Sequence, residues 1–171
     1  PARLADLVPR TVKDADGQWE TVHIDGMSFR PKLPTMKAQE FLDSSMRAPG
    51  ARDVEKRMAD LDPEGIWAEL VFPSLGMWSS SFRPPAVLRE ALRVSNDWAW
   101  EAIEKPYDRL VATAQVSTLD VGDAVAELER VAEMGYRAVF LPVTPHPLQK
   151  DYHHDVWEPF WTAAERANIV I

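Results

Sequence analysis

The chain has 171 residues, 46% hydrophobic and 27% charged, which suits one domain with a sizeable core but falls short of the ~250 residues of a closed (β/α)8 barrel. Nineteen basic against 27 acidic residues give a net charge of −8, spread along the chain, and a surface of that sign repels phosphate backbones and excludes nucleic acid as a partner. The absence of cysteine removes disulfides, thiolate metal sites and a Cys nucleophile together and fits a cytoplasmic protein.

No apolar run approaches the ~20 residues that span a bilayer, and no basic-plus-apolar leader opens the sequence, so no membrane partner is expected. The chain begins at Pro1 rather than Met, which suggests that the natural start, like the natural end, lies outside it.

Residues 1–50 are rich in proline and poor in helical periodicity. Val8 to Lys13 and Gln18 to Ile24 read as two short strands joined through Asp14-Ala15-Asp16-Gly17, because Asp-Gly favours the positive φ of a tight hairpin. This stretch is expected to be an excursion packed on a domain that occupies 51–171. From Asp53, a residue suited to capping, Val54, Met58 and Leu61 share one helical face. Gly65 should end that helix, and Ile66 to Pro73 reads as a buried strand. Pro84-Pro85 can start the helix Ala86 to Lys105, whose apolar face of Leu88, Leu92, Ala99 and Ile103, widened by Val87, Ala91, Val94 and Trp98 beside it, calls for a large covering surface.

Leu110 to Val116 is a second apolar strand, followed by a helix capped at Asp120 and closed at Gly135. Tyr136 to Val143 is a third strand, Asp155 to Ala167 a further helix whose start Pro159 delays, and Asn168 to Ile171 the opening of another strand. Strands apolar on both faces alternating with amphipathic helices define an α/β fold with a parallel sheet of βαβ units. In that architecture chemistry gathers at the carboxyl ends of the strands. Ser74, Gln115 and Thr144 then come to one rim, with Trp78 and His146 on the loops above it. Gly65, Arg109 and Gly135 belong to the opposite rim, where the demand is stability.

Four histidines are available, and a catalytic metal needs about three convergent ligands. Adjacent His153 and His154 cannot both point inward from a regular element, and His23 alternates within the hairpin, so these three read as surface or loop residues. His146, between two prolines after a strand, reads either as a loop histidine or as a group that touches substrate. No metal ligand is assigned within the chain. Asp14-x-Asp16-Gly17 lacks the further ligands of a calcium loop, and Phe72-Pro73-Ser74-Leu75-Gly76 lacks the first glycine of a nucleophile elbow. Trp98, Trp157 and Trp161 fall on helical patterns and are expected in packing, whereas Trp78, among serines, is placed to cover a flat or carboxylated substrate. Asn96-Asp97-Trp98, in mid-helix, is expected to tie that helix to its neighbour rather than perform chemistry.

Six segments in order carry a resemblance. They are Arg57 to Ile66 leading into Phe72-Pro73, Ser95-Asn96-Asp97-Trp98, Tyr107-Asp108-Arg109-Leu110, Glu127-Leu128-Glu129-Arg130, Gly135 to Val139, and Trp157-Glu158-Pro159-Phe160-Trp161 with Ala164-Glu165. Together they resemble the amidohydrolase 2 branch of the metal-dependent amidohydrolase superfamily, related to aminocarboxymuconate-semialdehyde decarboxylase. The resemblance implies a (β/α)8 TIM barrel of which this chain supplies strands 2 to 4 and the start of strand 5. It also implies one divalent metal, zinc or manganese, held by a His-x-His or Glu-x-His pair, further histidines and an Asp. Neither His-x-His nor Glu-x-His occurs here, so the metal is expected in the full-length enzyme and not in this chain alone.

The resulting expectation is a fragment of an enzyme that hydrolyses or non-oxidatively decarboxylates a small carboxylated or cyclic molecule. Ser74, Trp78, Gln115, Thr144 and His146 would line the substrate site, the catalytic residues would lie elsewhere, and the chain alone would be inactive. His146 would meet substrate or a metal-bound water. A small-molecule substrate and a second copy of the chain are the expected partners. The rival reading is a non-catalytic partial barrel that serves as an assembly or interaction module.

Overall fold

A computed structural model describes residues 10–15, 19–24, 27–29, 49–51, 53–73 and 84–171. Two compact units divide at Ala68 and Glu69. The first holds an antiparallel meander of β1 (Arg10–Lys13), β2 (Glu20–Ile24) and β3 (Met27–Phe29). β1 pairs with β2 from Arg10 opposite His23 to Lys13 opposite Glu20, as the hairpin reading requires. Val8, Pro9 and the turn residues 16–18 lie outside the described residues. β3 was not anticipated, because three residues are too few to show a period. Helix α1 (Val54–Leu61) follows, with the Asp53 carboxylate accepting the Lys56 N–H at 3.2 Å. Asp53 is acidified chiefly by that backbone hydrogen bond.

The second unit is a parallel sheet flanked by helices, in the order β4 (Glu69–Val71), α2 (Pro85–Ala99), β5 (Leu110–Gln115), α3 (Val121–Met134), β6 (Ala138–Phe140) and α4 (Glu158–Ala167). β5 is central. Its first half pairs with β4 and its second half with β6, from Thr113 opposite Ala138 to Gln115 opposite Phe140. A parallel bridge from Ala138 to Val170 adds a fourth strand position. This staggered pairing is how a sheet begins to curl into a barrel, and the fold is part of a (β/α)8 barrel.

The strands are shorter than their apolar runs. Ile66 to Pro73 contracts to β4 because the Ile66 N–H is taken by the Leu61 carbonyl at 2.9 Å and Pro73 has no N–H with which to extend the ladder. Tyr136 to Val143 contracts to β6 for the same two reasons, since the Tyr136 N–H bonds Val131 O at 3.0 Å and Pro142 follows. Asn168, at φ 53, and Ile169 cap α4, so only Val170 bridges to β6. The long helix ends its α-turns at Ala99 and continues as a π-helical turn, Trp100–Glu104. Asp120 and Gly135 close α3 as expected, with Gly135 at φ 109.

The core lies between the sheet and its helices. Ala112 and Ala114 of β5, and Val116 just after it, are buried with Leu88 and Leu92 of α2 and Leu128 and Val131 of α3. Trp157 and Phe160 are fully buried at the start of α4. Trp98 is not in the core. It is 63% exposed, beside Val94 at 65%, because the inner face of α2 is set by Leu88, Leu92 and Asn96, four residues apart.

Candidate functional site

The rim at the carboxyl ends of the strands is built around the last residue of β5. Beyond Val71 the sheet ladder between β4 and β5 stops, and two side chains replace it. Thr113 Oγ1 donates to the Val71 carbonyl at 3.0 Å. Asn96 of α2 then takes both backbone groups of Gln115: its Oδ1 accepts the Gln115 N–H at 2.8 Å and its Nδ2 donates to the Gln115 carbonyl at 2.8 Å. One carboxamide thus acts as a short strand, satisfying a buried donor and acceptor that an open ladder would orphan.

Asn96 is itself fixed. It is 1% exposed, its Nδ2 also donates to Glu127 Oε1 at 2.8 Å, and its carbonyl accepts the Tyr136 hydroxyl at 2.6 Å. Arg130 chelates Glu127 through Nε and Nη2 and reaches Asp97 through Nη1. The hydrogen bond to Glu127, first among its causes, keeps Arg130 even more firmly protonated than usual. Burial, reinforced by Glu104, holds the Tyr136 phenol well above its ordinary range. Of the segment Asn96-Asp97-Trp98 expected to tie the helix to its neighbour, Asn96 and Asp97 make such contacts, while Trp98 is exposed. A polar residue on the same face as Leu88 and Leu92 is the signal that could have singled out Asn96.

Gln115, 3% exposed, closes β5 with its Nε2 3.5 Å from Ser95 Oγ. Ser117 and Thr118 continue the buried segment. Thr118 Oγ1 accepts the backbone N–H of His146 at 3.0 Å, which joins the loop after β6 to the end of β5. His146 is 4% exposed, and its Nδ1 accepts the Leu148 N–H at 3.2 Å. Thr144, on the same loop, is exposed. Ser74 and Trp78 lie outside the described residues. The structure therefore connects Gln115 and His146 through one buried segment, with Thr144 near in sequence and turned to solvent.

At the amino end of the same sheet the gap between β5 and β6 is filled by Glu104 from the π-helical turn. Its carboxylate accepts the Ala112 N–H at 2.6 Å and Arg137 Nε at 2.8 Å. Arg109 and Gly135 precede β5 and β6 at this end, and Gly65 belongs to the other compact unit. A Cβ on Gly135 would stand 2.8 Å from Trp100 Cη2, so the position needs glycine for space as well as for its φ.

The face of the sheet turned from the helices carries an apolar hollow of about 210 Å³, lined by Leu70, Phe72, Thr113, Phe140 and Ile171 among others. Phe72 and Phe140 meet edge to face at 5.7 Å. Among the described residues no three His, Asp or Glu side chains are grouped as a metal centre. His153 and His154 are exposed with their rings 4.4 Å apart, remote in character from a buried rim. The described residues do not fit a complete ligand set, and no catalytic step is assigned to a metal here. No helix among them is long and apolar enough to cross a membrane.

No curated protein matches the chain. Among solved structures, an amidohydrolase from Mycobacterium avium subsp. paratuberculosis K-10 is similar at TM-score 0.73 and 18% identity, over 99% of this chain and 51% of its own. The 2,6-dihydroxybenzoate decarboxylase from Rhizobium is similar at TM-score 0.55 and 23% identity, over 69% of this chain and 37% of its own. The chain thus spans about half the length of the first of these and less of the second. At such identities the likeness speaks for the fold. The family model described as amidohydrolase matches residues 53–171, the larger part of the sequence, and includes all of the parallel sheet; the chain belongs to the amidohydrolase family.

Proposed function

We propose that the chain is part of a metal-dependent amidohydrolase-type enzyme that hydrolyses or non-oxidatively decarboxylates a small carboxylated or cyclic substrate. The observation that carries this reading is the family match over a parallel βα sheet whose polar, buried groups gather after β5 and β6. The solved decarboxylase among its structural neighbours supports the second reaction class. In this reading the zinc or manganese and the groups that move protons belong to parts of the barrel outside these 171 residues. The chain's own share is to bind and orient substrate. Gln115, Thr144, His146 and Ser74 offer hydrogen bonds to a carboxylate or carbonyl, and Trp78 covers the ring.

The test is a backbone NMR titration of the isotope-labelled chain with 2,6-dihydroxybenzoate and with a neutral cyclic amide. Shifts should concentrate at Gln115 to Thr118 and Thr144 to Leu148. Shifts confined to Arg109, Gly135 and Arg137 would put binding at the wrong end of the sheet and overturn the assignment. Turnover by the isolated chain is not expected. A second reading, an assembly module without catalysis, draws support from the exposure of Leu70 and Phe72 on the open sheet face.

A further inference from the structure

We propose that Thr118 is a positioning residue: its hydroxyl holds the turn that carries His146, with Thr144 just ahead of it, in a fixed place against the end of β5, so that substrate contacts from two neighbouring βα units form together. The inference rests on the substrate-binding role proposed for Gln115, Thr144 and His146, and adds the group that sets their spacing.

The turn depends on a tie from outside. β6 ends at Phe140, and Pro142 has no N–H to prolong the ladder, so the sheet does not guide the chain beyond it. Residues 145–149 close on themselves instead. The His146 carbonyl accepts the Gln149 N–H at 2.8 Å, and its Nδ1 accepts the Leu148 N–H at 3.2 Å. Pro145 and Pro147 fix φ on either side of His146. Such a turn moves as one piece, and its place is set by what it is bonded to. Two side-chain bonds carry it to the loop after β5. Thr118 Oγ1 accepts the buried His146 N–H at 3.0 Å, and Gln149 Nε2 donates to the Leu119 carbonyl at 3.4 Å. The second bond is long and only partly buried, so the Thr118 bond is the stronger of the two.

Thr118 can set a distance because it is itself firmly placed. Gln115, Val116, Ser117 and Thr118 are each at most 4% exposed, and Asn96 clamps the Gln115 backbone at both its N–H and its carbonyl. A run of buried groups thus leads from α2 through the end of β5 to His146. Contacts that converge on one small molecule lose much of their value when displaced by about 1 Å, and in this arrangement Thr118 acts through His146 rather than on the substrate. A hydroxyl with a purely structural role would change the melting temperature and leave binding alone, which separates the two roles.

The experiment is the NMR titration of the full chain with 2,6-dihydroxybenzoate, repeated for Thr118→Val, which replaces the hydroxyl by a methyl of similar size, and for Thr118→Ser, which keeps the acceptor. Each is titrated well below its own melting temperature, so that all are folded. In Thr118→Val the probe should bind about tenfold more weakly, with its shifts kept at Gln115 and largely lost at Thr144 and His146. Thr118→Ser should restore the pattern, with affinity within about twofold of the unaltered chain. Unchanged affinity and unchanged Thr144 and His146 shifts in Thr118→Val, with only a lower melting temperature, overturn the proposal, as does Thr118→Ser binding no better than Thr118→Val. Should Thr118→Val fail to fold, Thr118→Ala takes its place, since it leaves room for a water at the His146 N–H while still cutting the tie. Shifts absent from the whole rim of the unaltered chain overturn the proposed function and this inference with it, whereas shifts present there but indifferent to Thr118 overturn this inference alone.

Discussion

Replacing Asn96 by alanine should be among the most damaging single changes to the β5 rim. The substitution removes two hydrogen bonds of 2.8 Å to Gln115 and one of 2.8 Å to Glu127, at a position only 1% exposed. What matters most is what remains, because the Gln115 N–H and C=O stay buried beside a methyl group, and among the described residues the β4 ladder has already ended on the side they face. An orphaned buried polar group costs about 1–3 kcal/mol, so two of them imply about 4 kcal/mol, with Glu127 still held by Arg130. For a compact unit of this size that corresponds to a fall in melting temperature of roughly 15 °C or more. Asn96→Asp sharpens the test, since it keeps the acceptor for the Gln115 N–H but sets a carboxylate against the Gln115 carbonyl and Glu127. The folded-state pKa of that new acid is raised, so the variant should be least stable near neutrality and recover as pH falls through that pKa. Denaturant unfolding gives the energies, and amide exchange at Gln115 gives the location. A cost below about 1 kcal/mol for Asn96→Ala, with Gln115 exchange unchanged, would refute the view that one carboxamide replaces the missing ladder.

Gly135→Ala must hold alanine at φ 109 and press its Cβ toward the Trp100 ring, so a loss of about 2–4 kcal/mol is expected in thermal unfolding; a neutral result would mean that Trp100 moves freely. Burial pushes the Tyr152 phenol up to about 12, while the unfolded phenol titrates near 10, so the stability this group provides is full below pH 10 and is lost as pH rises toward 12. Ultraviolet titration of the folded chain should accordingly show tyrosine ionising late, and early ionisation of Tyr152 would contradict its packing against Trp157. The chain purified without a polyhistidine tag should hold far less than one zinc or manganese per molecule. Elemental analysis showing a stoichiometric ion would promote His146, His153 and His154 to ligands.

The local sequence determined the elements and their direction. Apolar runs at 66–73, 110–116 and 136–143, separated by amphipathic helices, specify parallel strands because a chain that alternates βα can bury both sheet faces only in that way. Asp53, Asp120 and Gly135 fixed helix ends by chemistry that acts within four residues, which is why those boundaries were legible. The position of Gln115 at the end of a strand followed from the same reasoning. What tertiary structure decided was the use of groups whose partners are distant in sequence. Strand lengths were set by whether a neighbour could supply N–H groups, so Pro73 and Pro142 shortened runs that hydropathy alone extends. Trp98 reads as core or interface packing by spacing and lies outside the core of this chain, because a buried Asn96 claimed the inner face of α2 through partners 19 and 31 residues away. His146 is a loop histidine in sequence, and only the bond from its backbone to Thr118, 28 residues earlier, carries it to the buried rim. Hydrogen bonding across a sheet is satisfied by whatever element arrives there, and a one-dimensional pattern holds no record of that arrival.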